Sequence, residues 1–158
     1  MPDLSMGGAS RWPLCLDSQV ARSATYLSVD VPAWVHSTLG AGTAGSRQWA
    51  IGGLSSGGTC ALQLAVNFPQ AYPTFLDLSG ETQPSVRGGR ARLVDEYFDG
   101  DEDAFIAQNA LDVLARHRFP HTAGRFVAGT ADSKYGTELD PLYGFSTAAG
   151  RRHGPPAA

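Results

Sequence analysis

The residues of this 158-residue chain best suited to chemistry are Gly53-Leu54-Ser55-Ser56-Gly57, a G-x-S-x-G pattern. Trp49-Ala50-Ile51 before it reads as a strand, and Thr59 onward as a helix. A serine at a sharp strand-to-helix turn has its Oγ pushed out above a sheet. There it can attack a carbonyl carbon while a histidine takes its proton. Glycine is expected to be required two residues before and two after, at Gly53 and Gly57, because the neighbouring backbone comes close. The helix beginning near Ser56 directs N–H groups and a positive dipole end at the reacting carbonyl, so the Ser56 N–H serves as one oxyanion donor. Five residues of this kind also occur by chance in Gly/Ser-rich loops; the apolar strand before and the helix after set this one apart. A phosphate-binding loop does not fit, since no Lys-Ser/Thr follows and the G-x-G-x-x-G spacing is absent.

The surrounding elements follow from periodicity and punctuation. Thr25 to Leu39 reads as helical, with Tyr26, Leu27, Val31, Trp34 and Val35 at helical spacing. Pro32 demands a kink there, or a fresh start with Asp30 as N-cap. The sequence predicts a strand over Gln48 to Gly52, a helix over Thr59 to Phe68 and a strand over Thr74 to Leu78. A loop over Ser79 to Arg92 follows, then a helix from Glu102 to His117 capped by Asp101, and a strand over Arg125 to Ala128. Asp99, Asp101 and Asp103 suit capping better than calcium, because their spacing does not reproduce a calcium loop. A short helix is expected over Pro141 to Ala149, and a tail from Gly150 without regular structure. Strands alternating with helices predict an α/β fold, a doubly wound, mainly parallel sheet with its chemistry at the carboxyl ends of the strands. Residues 1–150 form its domain and 151–158 the tail.

Several segments carry a family resemblance. Thr25-Tyr26-Leu27-Ser28-Val29-Asp30-Val31-Pro32-Ala33-Trp34-Val35, the Ser55 motif, Asn67-Phe68-Pro69-Gln70 and Phe75-Leu76-Asp77-Leu78-Ser79-Gly80 together resemble the putative-esterase family, which holds feruloyl esterases, S-formylglutathione hydrolases and mycolyltransferase-like enzymes. The resemblance runs from about Pro2 to about Gly150 and is nearest to the mycolyltransferase-like and membrane-tethered members. It implies an α/β-hydrolase fold, a Ser-acid-His triad and ester or thioester substrates. Phe126-Val127-Ala128-Gly129-Thr130-Ala131-Asp132 is a strand running into a loop, where the family carries its acid, and this makes Asp132 the expected triad carboxylate. Asp77 is the other candidate. The base is harder to place. His36, His117 and His121 precede Asp132, in the wrong chain order for this fold. His153 is the one histidine after it, a doubtful base because Arg151 to Pro156 leaves no room for the strand that should precede it. Few strands are expected before Ser55, so the fold is expected to be incomplete at both ends. Two functions follow: a serine esterase or acyltransferase working through an acyl-enzyme at Ser55, or an inactive homologue keeping a structural or binding role.

Composition narrows the partners. Acids and bases are mixed along the chain and the net charge is -3, so no nucleic-acid partner is indicated. No apolar run suggests a membrane span, and no charged start followed by an apolar core suggests a signal peptide. The chain as it stands is therefore expected in the cytoplasm, whereas the resemblance allows full-length relatives to be exported or membrane-tethered. The substrate class is a small-molecule, lipid or sugar ester; no cofactor and no metal are implied, and oligomeric state is left open. Cys15 and Cys60 read either as two buried small hydrophobes or as one disulfide, which would imply export. Cys60 lies about a turn and a half into the helix after Ser55, and the loop bearing Cys15 should cover the same end of the sheet, so the two are expected to approach one another.

Overall fold

The computed structural model describes residues 12–42, 49–129, 131 and 139–144, with the backbone of 152–153. Its centre is a parallel sheet in the order β1-β2-β3-β4, with β1 Ala50–Leu54, β2 Thr74–Leu78, β3 Ala123–Val127 and β4 Arg152–His153. Register fixes the two faces. Ile51 pairs with Phe75 and Phe75 with Gly124; Gly53 pairs with Asp77 and Asp77 with Phe126. These residues share one face. Phe75 and Phe126 meet edge to face there, with ring centroids 5.2 Å apart. Gly124 has no side chain because a Cβ would overlap the Phe75 ring.

Helix α3 (Ser56–Asn67) covers that face, and Leu62, Leu64, Ala65 and Val66 pack with Phe75 in the main core. It is buried nearly all round from Gly58 to Val66, more than one apolar stripe requires. The buried Gln63 is accommodated by its amide, which accepts from Ala110 N at 2.5 Å and donates to Gln108 O at 3.3 Å. The opposite face of the sheet carries Ala50, Gly52, Leu54, Thr74, Leu76 and Arg125 and is open among the described residues, with Leu54 67% exposed. The described helices thus supply one layer of the doubly wound arrangement.

The N-terminal arm answers the question posed by Pro32. Ser23–Thr25 (α1) runs through a π-helical turn over Tyr26–Asp30 into Val31–Leu39 (α2). Pro32 lacks an N–H, and the wider turn ahead of it absorbs the missing bond without a break. Asp30 is helical and makes no side-chain cap, so a fresh helix does not start there. Asp17 instead ties the start of the arm, accepting from Thr25 N at 2.9 Å. Gly40 ends α2 in the left-handed conformation, φ 62°.

Between β2 and β3 lie α4 (Gly89–Phe98), α5 (Glu102–Ile106) and α6 (Ala110–Arg116). Leu93, Val94, Tyr97 and Phe98 of α4 join Leu16 and Phe105 in a second core. Asp101 caps α5 by accepting from Ala104 N at 3.0 Å. The continuous helix expected over Glu102 to His117 is broken at Ala107 to Asn109. A further helix spans 139–144. Arg152–His153 pair parallel with Ala123 and Gly124, so a two-residue strand lies within the segment expected to be without regular structure; it contains His153 rather than preceding it.

Candidate active site

Ser55 joins β1 to α3 at the carboxyl end of the sheet, with φ 56° and ψ -124°, and it is exposed. Few L-residues adopt this backbone, and the surroundings enforce it. The Ser55 N–H donates to Leu78 O at 2.8 Å, extending the β1–β2 ladder by one step. The Ser55 carbonyl accepts from Gly58 N at 2.8 Å and Thr59 N at 3.1 Å, closing the first turn of α3. The Ser56 N–H lies ahead of that first bond, among the donors that a helix start leaves free for a ligand.

The two glycines of the motif are not equivalent. A Cβ at Gly53 would overlap the backbone of Gly57, whereas a Cβ at Gly57 would meet nothing within 4 Å. The expectation that both positions need glycine for lack of room therefore holds only at Gly53. Gly53→Ala should destabilise the fold by about 2 kcal/mol or more, within the usual cost of overpacking. Gly57→Ala should be neutral or stabilising by a few tenths of a kcal/mol, since alanine is the better helix former. Urea unfolding of the pair checks this, and equal losses at both positions would contradict it.

Beneath the turn lies Asp77, fully buried. Its Oδ1 accepts from Gly80 N at 2.8 Å, while Oδ2 has no hydrogen-bond partner. The carboxyl packs against Gly58 and Gly80, where added Cβ atoms would overlap it. Burial pushes this carboxyl up to about 6 from the ordinary 3.8, with the Gly80 N–H pulling the other way. The folded state therefore holds the proton more tightly than the unfolded chain. Stability falls as pH rises from about 4 to about 6 and levels off above. A shift of this size corresponds to roughly 3 kcal/mol. Asp77→Asn should remove that slope, making the variant's stability relative to wild type rise between pH 4 and pH 7. Parallel pH curves for the two proteins would refute the assignment. The sequence carried one signal for this buried group: Asp77 has the parity of Phe75 and so points inward.

Asp132 lies outside the described residues, although β3 leads towards it from the carboxyl end of the sheet. The histidines lie elsewhere. His36 bonds Gly42 O through Nδ1 at 2.6 Å, and Gly42 abuts the ring of Trp49, just ahead of β1. His117 ends α6 and His121 precedes β3, both on the approach to the amino ends of the strands. The His153 backbone is level with Gly124, three residues before the end of β3. No described histidine therefore stands at the carboxyl ends beside Ser55.

A parallel sheet with a serine on a strained strand-to-helix turn and a helix packed behind it defines the α/β-hydrolase fold, and solved structures agree. The chain matches an S-formylglutathione hydrolase from Agrobacterium tumefaciens with a TM-score of 0.72 at 20% identity, covering 91% of this chain and 53% of that one. A ferulic acid esterase matches at 0.63 and 15% identity, over 90% and 56% of the two chains. MPT51 (FbpC1) of Mycobacterium tuberculosis matches at 0.58 and 18%, over 92% and 64%. The family model described as "Putative esterase" matches residues 17–142, and the chain belongs to that family. A Corynebacterium glutamicum protein, uncharacterized protein Cgl0967/cg1104, is 43% identical over 150 residues, which are 91% of this chain and 35% of that protein. The chain thus spans about a third of that relative and about half of the A. tumefaciens hydrolase.

Proposed function

We propose that this chain carries the acyl-transfer site of a serine esterase or acyltransferase, with Ser55 as nucleophile and the Ser56 N–H as one oxyanion donor. Asp132 is the proposed acid and a carboxylic ester or thioester the substrate. The observation that carries the proposal is the exposed Ser55 on its strained turn, with Gly53 wedged against Gly57. Attack by Oγ on the carbonyl gives a tetrahedral oxyanion within reach of the helix N-terminus. Its collapse expels the alcohol or thiol and leaves an acyl-Ser55, which water or a hydroxyl acceptor then resolves. Family membership and the names of the neighbours support an ester substrate.

The histidines favour a second reading, in which the chain keeps the turn but lacks an effective base. His153 is the base that chain order suggests, and its paired backbone sits well below the level of Ser55. One experiment tests Ser55 as the nucleophile; turnover separates the two readings. A fluorophosphonate is incubated with the chain and with Ser55→Ala, and the adduct is located by mass spectrometry. Modification of Ser55, lost in the variant, supports the nucleophile. Modification that persists in Ser55→Ala, or none in either, sinks it.

A further inference from the structure

The chemistry proposed for Ser55 leaves the Asp77 carboxyl unused, yet the structure is built around it. Two glycines on separate segments make room for it, Gly58 in the first turn of α3 and Gly80 in the loop after β2. Thr59 fastens the same two segments: Glu81 N donates to Thr59 Oγ1 at 2.8 Å. Asp77 also stands beside Gly53 in the β1–β2 register, directly under the turn that presents Ser55. An apolar side chain would fill the space without leaving a buried oxygen unpaired, as Oδ2 is here. A carboxyl kept in such a place calls for an electrostatic role, and the twelve-residue α3 has its positive end there.

We propose that Asp77 is a positioning residue for Ser55: its carboxyl holds the first turn of α3 against the loop 79–81, and its ionisation sets the potential at the Ser56 N–H. The proposal rests on the nucleophile reading of Ser55. Neutral Asp77 keeps the packing and leaves the helix N-terminus free to stabilise an oxyanion. Ionised Asp77 places a negative charge beneath that N-terminus and weakens its pull on a second negative charge above it. Among the described residues of the elements packed against it, few charges compete, and the proposed acid Asp132 lies outside them. Neither α3 nor β1 carries a charged residue, and β2 carries none but Asp77. On β3 the one charged residue is Arg125, on the opposite face, and in the loop 79–81 it is Glu81, whose carboxylate accepts from Ser85 Oγ. Burial moves the Asp77 carboxyl into the range where ester chemistry is measured.

The test reads the turn with and without chemistry. Backbone amide NMR of the full 158-residue chain is followed from pH 4.5 to 8, for wild type, Ser55→Ala and Asp77→Asn. The Ser56, Gly57 and Gly58 amide shifts should inflect near pH 6 in wild type and Ser55→Ala, and lose that inflection in Asp77→Asn. In parallel, the rate of fluorophosphonate modification of Ser55 is measured across the same range. Asp77→Asn should react roughly threefold to tenfold faster than wild type at pH 8 and equally at pH 4.5. Asp77→Ala, which empties the space, should react more slowly at both. Flat amide shifts in wild type overturn the proposal. So does an inflection with identical labelling profiles for wild type and Asp77→Asn, since the group would then titrate without acting on Ser55. If Asp77→Asn does not fold, the wild-type arms decide, because shifts and labelling must inflect at the same pH. Absence of Ser55-dependent labelling overturns the nucleophile reading instead, and the amide titration then decides whether Asp77 governs the turn.

Discussion

Reducing the Cys15–Cys60 disulfide should lower the stability of the chain by about 4 kcal/mol. The bridge joins sulfurs 1.97 Å apart, with Cα atoms separated by 5.4 Å and a sequence separation of 45. It settles the two alternatives for these cysteines in favour of pairing. The cross-link restricts the unfolded chain, and a loop of this length accounts for the size of the effect. It also ties the segment ahead of the N-terminal arm to α3, about a turn and a half past Ser55, so its loss should loosen that helix as well as the whole fold. The measurement is the urea midpoint with and without reductant, or for the Cys15→Ser/Cys60→Ser pair. A fall of about 2 M is expected if unfolding exposes surface as in other small domains. An unchanged midpoint would show that the cross-link constrains little. Bridges of this kind persist in oxidising compartments and are rare in the cytosol. Among the described residues no helix is long and apolar enough to cross a membrane. The compartment we propose is therefore an oxidising one, in place of the cytoplasmic placement expected from the lack of a signal-peptide or membrane-span pattern.

The second large effect concerns turnover. The 158-residue chain should label at Ser55 yet hydrolyse a p-nitrophenyl ester slowly. A triad lacking one member retains only about 10³- to 10⁴-fold acceleration over water, and loss of one oxyanion donor costs a further 10²- to 10³-fold. The two losses do not simply add, but either one removes most of the usual enhancement. No described histidine lies at the carboxyl ends of the strands, and the Ser56 N–H is the one oxyanion donor proposed. The assay compares the chain with Ser55→Ala and His153→Ala. Rapid turnover lost in Ser55→Ala would overturn the expectation. Loss in His153→Ala as well would make His153 the base and require its strand to shift.

The sequence made the site's scaffold legible wherever local pattern and tertiary packing agree. The strand over Thr74–Leu78 alternates inward Phe75 and Asp77 with outward Leu76, and its bounds are those expected. Ser55 lies between strand and helix as its motif demands. Helix α3 begins at Ser56, as the motif argument expects, three residues ahead of the stretch that apolar periodicity marks from Thr59. Elsewhere distant contacts override local signals. The helix expected through Ala107 to Asn109 breaks because Gln108 is held by remote partners. Its side chain exchanges hydrogen bonds of 2.8 Å with the Asp17 backbone, and its carbonyl accepts from Asn67 Nδ2 at 2.7 Å. Helix α4 lay hidden behind Gly88 and Gly89, although Leu93, Val94, Tyr97 and Phe98 have helical spacing. The inequality of Gly53 and Gly57 is likewise a matter of three-dimensional approach, which a five-residue pattern cannot express.

The open face of the sheet bears on how this chain folds. Parallel neighbours such as Ala50 and Thr74, or Thr74 and Ala123, are joined by long crossovers, so the sheet assembles only after distant segments meet. Such topologies fold slowly. Throughout that search Leu54 and Leu76 face water, and in the finished fold they remain 67% and 38% exposed. A refolding chain therefore offers the same apolar surface before and after the barrier. Its yield should fall with protein concentration even under conditions where the folded state is stable.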